Sequence, residues 1–546
     1  MKTVRGNIVD VVGKTIYSGE LRIVDGVIKS VERISDDASL PYVLPGFCDA
    51  HVHIESSMLL PTAFAMEAVK HGTVATVSDP HEIANVCGVD GVTYMLENAK
   101  RTNFYFNFGA PSCVPATSFE TAGATIDSVA IDKLLSMPEI GYLSEMMNYP
   151  GVLNSDEEVM KKIAAAKKHN KPVDGHAPGL VGDAAVRYIE AGISTDHECF
   201  TYEEGLHKVK HGMKILIREG SSARNFEALW PLIDEFPDSV MLCTDDTHPD
   251  DLIKGHINLL VKRALAKGCE LFNVLRAVSL NPKQHYRLKF GLLQPDDSAD
   301  FVVVDDLQRF NVLETYIGGE KVAERGVSYL RHETTEPINN FNATAKTPAD
   351  FRVPHGNDIR IIQAIDGQLI TESFDFHFAS ETVPLNNALV ANDVLKIVVV
   401  NRYSDAPPAI AFINGFGLKR GAIASSVAHD SHNVIAVGTD DESICEAVNA
   451  VIRHKGGLAV CDGANTESLP LPVAGLMSLD DAKTVGEKYE VLDRQAKALG
   501  CTLRAPFMTL SFMALLVIPK LKLSDKGLFD AVSFRFTPVD AAAAVG

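Results

Sequence analysis

The chain has 546 residues, 46% of them hydrophobic and 22% charged, which is enough for a large core and for more than one domain. A formal net charge of −20 repels a phosphate backbone, so nucleic acid is not expected as a partner, whereas a small nucleobase meets no such penalty. Nine cysteines without a Cys-x-x-Cys pair exclude a zinc ribbon and a redox dithiol. Together with an N-terminus that has no apolar signal segment, they lead us to expect reduced thiols in a cytoplasmic protein with no membrane partner.

Residues 1–44 alternate in short strand-like pieces, 7–12, 21–24 and 27–31, with Gly13, Gly19 and Gly26 as turns. A similar texture returns at 299–304 and 312–319. We therefore expect a small β-sandwich domain assembled from both flanks, 1–44 and 286–345, of a long middle segment.

That middle segment, 45–285, opens with Leu44-Pro45-Gly46-Phe47-Cys48-Asp49-Ala50-His51-Val52-His53. If this run is a strand, alternation places His51 and His53 on one face, where two imidazoles can share a metal ion. Further apolar strand candidates follow at 72–79, 104–109, 141–145, 172–176, 192–197, 213–218 and 239–245, with helical stretches such as 156–169 and 251–267 between them. Eight strands in repeated βα units predict an α/β fold, a (β/α)8 TIM-like barrel. His51, His53, Glu145, His176, His197 and Asp245 all fall at the C-terminal ends of these strands, the face on which such barrels do chemistry.

From about residue 346 the composition shifts. Lys346 to Asp350 reads as a linker, and 395–400, 434–437, 441–454 and 479–499 alternate between strand and helix patterns, giving an α+β domain over 346–546. The apolar run Pro506 to Pro519 is too short for a bilayer and is expected to be a buried helix. Ala428 to Asn433 carries His429 and His432, which could bind a further metal or cap the barrel mouth; a polar turn before a strand is the plainer reading. His207 and His211, four apart without a Glu-x-x context, read as surface residues, and Gly415-Phe416-Gly417 lacks the third glycine of a dinucleotide fingerprint.

His51-Val52-His53, the single histidines of strands five and six and Asp245 of strand eight resemble the amidohydrolase superfamily. Asp79 to Val86, Glu145 to Asn148, Gly175 to Pro178, Thr195 to Glu198, Arg218 to Arg224, Cys243 to Asp246, Gly421 to Val437 and Leu471 to Ser478 are similar to its bacterial adenine deaminase branch. The resemblance implies a binuclear centre bridged by Glu145, with His51, His53 and Asp245 on one metal and His176 and His197 on the other. Manganese or ferrous iron is favoured, and zinc stays open. It also implies hydrolytic deamination of adenine to hypoxanthine and ammonia, as in purine salvage, by attack of a metal-bridged hydroxide.

Asp245 would move the hydroxide proton, and a second acid should face the ring. Glu82 and His81, expected in a loop after strand two, are candidates, with Glu198 and His248 beside them and Arg224 as a further substrate-binding residue. Alternatives are deamination of an N6-alkylated adenine such as N6-methyladenine, or a cyclic amidohydrolase reaction, against which strand four offers a glutamate and no lysine. A homodimer or higher homo-oligomer is the default assembly.

Overall fold

The computed structural model describes residues 1–221, 223–353, 358–377 and 389–542; Ser222, within the Arg218–Arg224 stretch, lies outside the described residues. The chain begins with β1 (Lys2–Asp10), β2 (Thr15–Val24), β3 (Val27–Arg33) and β4 (Tyr42–Pro45), then enters β5 (Phe47–Val52) directly after Gly46. Every residue of β5 is buried, as expected of a parallel strand covered on both faces. Parallel neighbours follow: β6 (Thr73–Ser78), β7 (Tyr105–Ala110), β8 (Ile140–Met146) and β9 (Val173–Gly175) pair in sequence with β5 as one sheet.

A second parallel sheet holds β10 (Thr195–Asp196), β11 (Lys214–Arg218) and β12 (Val240–Cys243). Single parallel bridges, Val173 to Ile193 and Val52 to Asp245, link the two sheets on both sides. The result is a curled, TIM-like parallel domain whose strands all run toward one mouth. Several of its helices are capped by a side chain at the N-terminus. Helix Glu157–Lys168 starts at Asp156, whose carboxylate accepts from the backbone of Glu158 and Val159, and it carries Lys167 and Lys168 in its last turn.

The chain then returns to the first sheet with β13 (Phe301–Val304), β14 (Val312–Ile317), β15 (Glu320–Glu324) and β16 (Val327–Ser328). All eight strands of this unit share one hydrogen-bonded sheet in the order β16-β15-β14-β13-β4-β1-β2-β3, so the two flanks do meet. The parallel β1–β4 and antiparallel β13–β4 pairings make β4 the junction with the central domain.

Beyond a stretch without regular structure from Tyr329 to Thr347, a third large sheet has the order β18-β17-β20-β19-β22-β21-β23-β24. Its strands are β17 (Asp358–Ala364), β18 (Thr371–His377), β19 (Leu395–Val400), β20 (Ala409–Asn414), β21 (Ala422–Ser425), β22 (Val434–Gly438), β23 (Gly457–Cys461) and β24 (Thr466–Pro470). Helices Asp441–Arg453 and Ala482–Ala498 accompany it, as their periodicity predicts.

Three local expectations change. His81 and Glu82 are not in a loop; they open helix His81–Ala99, whose first N–H is accepted by Asp79 Oδ1 at 3.1 Å. The 251–267 segment divides at Gly255 into helices Pro249–Lys254 and Ile257–Ala266. The apolar run after Pro506 is helical only to Phe512; Leu515 and Ile518 then turn back by three-residue hydrogen bonds, and Leu523 N–H donates to Met513 O at 3.0 Å. Burial there is supplied by the surrounding domain, so a continuous helix is not required. Among the described residues no helix is long and apolar enough to cross a membrane.

Candidate active site

The polar groups gather at the C-terminal ends of the parallel strands. His51 is on β5 and His53 just past it, Glu145 is near the end of β8, and His176 and His197 directly follow β9 and β10. Asp245 follows β12 by two residues; its backbone N–H donates to His51 O at 2.9 Å and its carbonyl accepts from His53 N–H at 3.2 Å. The first and last strands of the parallel domain thus clamp one another at His51, His53 and Asp245. Asp49 reinforces the clamp by accepting from the Thr244 backbone (3.0 Å) and facing His256 Nε2 (3.0 Å).

The donor atoms converge. His51 Nε2 and His53 Nε2 are 3.2 Å apart, and both face Asp245 Oδ1, at 3.4 and 3.1 Å. His53 Nδ1 lies 3.1 Å from the Asp79 carbonyl, its natural hydrogen-bond acceptor, which keeps the Nε2 lone pair turned to the cluster. Two imidazole nitrogens and a carboxylate oxygen converging in a buried site are a donor set that fits a divalent metal.

Glu145 divides its two oxygens. Oε1 faces His53 Nε2 (3.4 Å) and His81 Nδ1 (3.5 Å), while Oε2 faces His176 Nδ1 (2.7 Å) and His197 Nε2 (3.2 Å). Burial pushes its carboxyl up, but His176 and His197 outweigh that and hold it well below the usual range.

Arg218, the last residue of β11, donates to both oxygens of Glu198, through Nη1 to Oε1 and through Nη2 to Oε2 at 2.9 Å, and its Nη1 also donates to Asp245 Oδ2. The guanidinium therefore fixes Asp245 and occupies Glu198. Although Glu198 follows His197, its Oε1 is 3.6 Å from His176 Nδ1 and 3.5 Å from His197 Nε2, because regular strand structure ends at Asp196.

His81 places Nδ1 3.1 Å from Asp79 Oδ2 and Nε2 3.4 Å from Glu82 Oε1. The far oxygen of Glu82 faces His432 Nε2, and Oε1 is 2.7 Å from His429 Nδ1. Burial raises the Glu82 carboxyl, but His429 and His432 drive it well below its ordinary value. Burial lowers the His429 imidazole while Glu82 lifts it to about 9; for His432 burial prevails and takes it to about 4. Glu82 is thus a carboxylate surrounded by three imidazoles, those of His81, His429 and His432.

The cavity over these groups is walled by Met147, Leu369, Phe512 and Leu515, with His429 and Asp430 entering from the C-terminal domain. Arg224 and His248 do not join it. Arg224, 42% exposed in its side chain, donates to Gly220 O at 2.9 Å, and His248 Nδ1 is 2.7 Å from Tyr489 OH; both line a separate surface cavity with Arg504. The backbone after β11 and β12 turns these two side chains away from the cluster, with Arg224 partly exposed and His248 buried against Tyr489. Asp79, Arg218, Asp430 and Phe512 were not singled out by residue type. The acidic residue ahead of Pro80-His81 and a lone arginine ending an apolar strand were the available signals.

Residues 42–322 match the Amidohydrolase family and residues 368–535 the Adenine deaminase C-terminal domain. An adenine deaminase of Sulfurovum sp. is 55% identical over 97% of this chain and 98% of its own. Adenine deaminases of Salinibacter ruber and Borreliella burgdorferi are 51% and 48% identical, each over 98% of this chain and 98% of their own.

Proposed function

The chain belongs to the adenine deaminase family of the amidohydrolases, and from that membership we infer which of its residues carry out the hydrolysis of adenine to hypoxanthine and ammonia. The eight parallel strands form one closed (β/α)8 barrel in this reading, spanning about 45–285, with 1–44 and 286–345 as the β domain and 346–546 as the C-terminal domain. The observation that carries the site assignment is the divided carboxylate of Glu145, each oxygen addressing a different group of histidines.

His51, His53, Asp245 and one Glu145 oxygen would hold one divalent ion, and His176, His197 and the other Glu145 oxygen a second. Ions bound there make hydroxide available near neutral pH. Manganese, ferrous iron and zinc all suit nitrogen and carboxylate donors. Asp245, oriented by Arg218, accepts the proton released as water oxygen bonds to C6 and returns it to the departing amine as the C6–N6 bond breaks. His81, steadied by Asp79, supplies the proton that N1 needs as electrons move onto the ring, and recovers one from the C6 hydroxyl as the C6 carbonyl forms. Glu198 acts through Arg218, and Glu82 through the imidazoles that flank it. Met147, Leu369 and Leu515 exclude water around the base. Nine free cysteines agree with a reducing, cytoplasmic setting.

The test is ammonia release from adenine by protein stripped with chelator and reloaded separately with manganese, ferrous iron or zinc. Turnover is expected to vanish on stripping and to return with about two ions per chain. Full activity at one ion per chain would overturn the binuclear reading. Fully loaded protein silent on adenine but active on N6-methyladenine would redirect the substrate.

A further inference from the structure

The loop Ala428–Asn433 is held by hydrogen bonds and a ring contact from several directions. The fully buried Arg402 donates to His432 O (3.2 Å) and Asn339 Oδ1 (2.7 Å). Asn433 Oδ1 accepts from the Arg402 backbone, and Asn433 Nδ2 donates to Thr121 O at 2.9 Å, tying the loop to the central domain. His429 N–H donates to Ser511 O at 3.0 Å, and the His429 ring stacks on Phe512 with centroids 4.6 Å apart and planes 13° apart.

Glu82, His429 and His432 are compact enough to suggest a further metal site. The tautomer argues against it. The Ala428 backbone N–H donates to His432 Nδ1 at 3.2 Å, so the ring proton of neutral His432 resides on Nε2, facing Glu82 Oε2, and no lone pair is free there for a cation. His429 differs, because Glu82 favours its charged form, in which both ring nitrogens carry a proton. Its Nδ1–H donates to Glu82 Oε1, which leaves Nε2 as the ring position free to serve a ligand. The residue lines the cavity with the groups assigned to the deamination.

We propose that His429, supplied by the C-terminal domain, is a substrate-binding residue, donating Nε2–H to N3 or N7 of the purine. This rests on the deaminase reading of the same cavity. Glu82 and His432 are positioning residues that hold the imidazole in place, and Phe512 fixes its plane. Glu82, Asp430 and Asp246 are the charged groups that favour an imidazolium at this position.

The test uses metal-loaded full-length protein, with calorimetric binding of 3-deazaadenine, 7-deazaadenine and hypoxanthine alongside kcat and KM for adenine. One of the two deaza analogues, having lost the accepting nitrogen, should bind wild type about 10–100-fold more weakly than the other, as expected for loss of a hydrogen bond to a charged donor. His429→Ala should lose a similar factor on hypoxanthine and on the analogue that keeps the acceptor, and nothing further on the one that lacks it. His429→Gln, which retains a donor, should recover much of the loss, with metal content and melting unchanged. Equal losses on both analogues in His429→Ala, or unchanged binding and KM, would overturn the inference while leaving the deamination reading intact. Analogue binding that follows His429 without ammonia release from adenine would keep this contact and remove the substrate assignment instead.

Discussion

Asp245→Asn is expected to lower kcat for adenine by about 10²–10⁴-fold, the range for loss of a positioned proton-transfer group. Asparagine nearly matches the shape of aspartate and keeps a carbonyl oxygen for His51 and His53, but it cannot take up or return a proton. It also leaves Arg218, which donates to both Asp245 and Glu198, with one carboxylate in place of two. Steady-state kinetics combined with metal analysis separate the two consequences. A variant with full metal content that retains more than a tenth of wild-type kcat would transfer the proton-shuttling role to another group, with His81 the first to examine.

Lys208→Met is expected to destabilise the protein by about 3–5 kcal/mol, the usual consequence of stranding a buried charge. The fully buried ammonium donates to Ala177 O (2.7 Å), Asp196 Oδ2 (2.8 Å) and Glu204 Oε1 (2.7 Å). Ala177 follows His176 and Asp196 precedes His197, so this lysine anchors the backbone of both histidines assigned to the second ion. Metal affinity should fall with stability.

The pH dependence follows from the two partners. Burial raises the Asp196 carboxyl, but Lys208 outweighs it and leaves the pKa below its ordinary value. That contribution is present above the unfolded value of about 3.9 and is lost as pH falls through the depressed folded value. Burial lowers Lys208, but Asp196 outweighs it and raises the lysine above its ordinary range. This contribution is complete below the unfolded value of about 10.4 and is lost as pH rises through the folded one. The stability difference between wild type and Lys208→Met, measured by urea denaturation, should therefore be flat from about pH 8 to 9 and smaller at lower pH, where the carboxylate stranded by the substitution takes up a proton. A steep change inside that window would place the responsible charge elsewhere.

The chemistry was legible where it depends on local geometry. Strand alternation alone brings His51 and His53 together, and a β–α rhythm alone places His176, His197 and Asp245 at equivalent strand ends, because side-chain direction is set by the residue's own backbone. The start of helix His81–Ala99 could have been read from Asp79 and Pro80, since an acidic side chain ahead of a helix can accept its first N–H groups. Resemblance to the adenine deaminases, carried by motifs across nearly the whole chain, supplied the reaction.

What depended on where the chain goes next was decided by the tertiary structure. Arg224 and His248 have the right residue types and follow the right strands, yet the backbone after β11 and β12 carries them to a surface cavity with Arg504. Arg218 and Glu198 find each other because one strand ends and its neighbour does not. Glu82 meets His429 across 347 positions of sequence, a contact that no periodicity encodes. Amino-acid type and spacing determined which donor atoms were available and which strand ends they would share. Packing of the C-terminal domain against the strand-end cluster decided which of them share a buried cavity, because burial and long-range pairing are properties of the assembled chain.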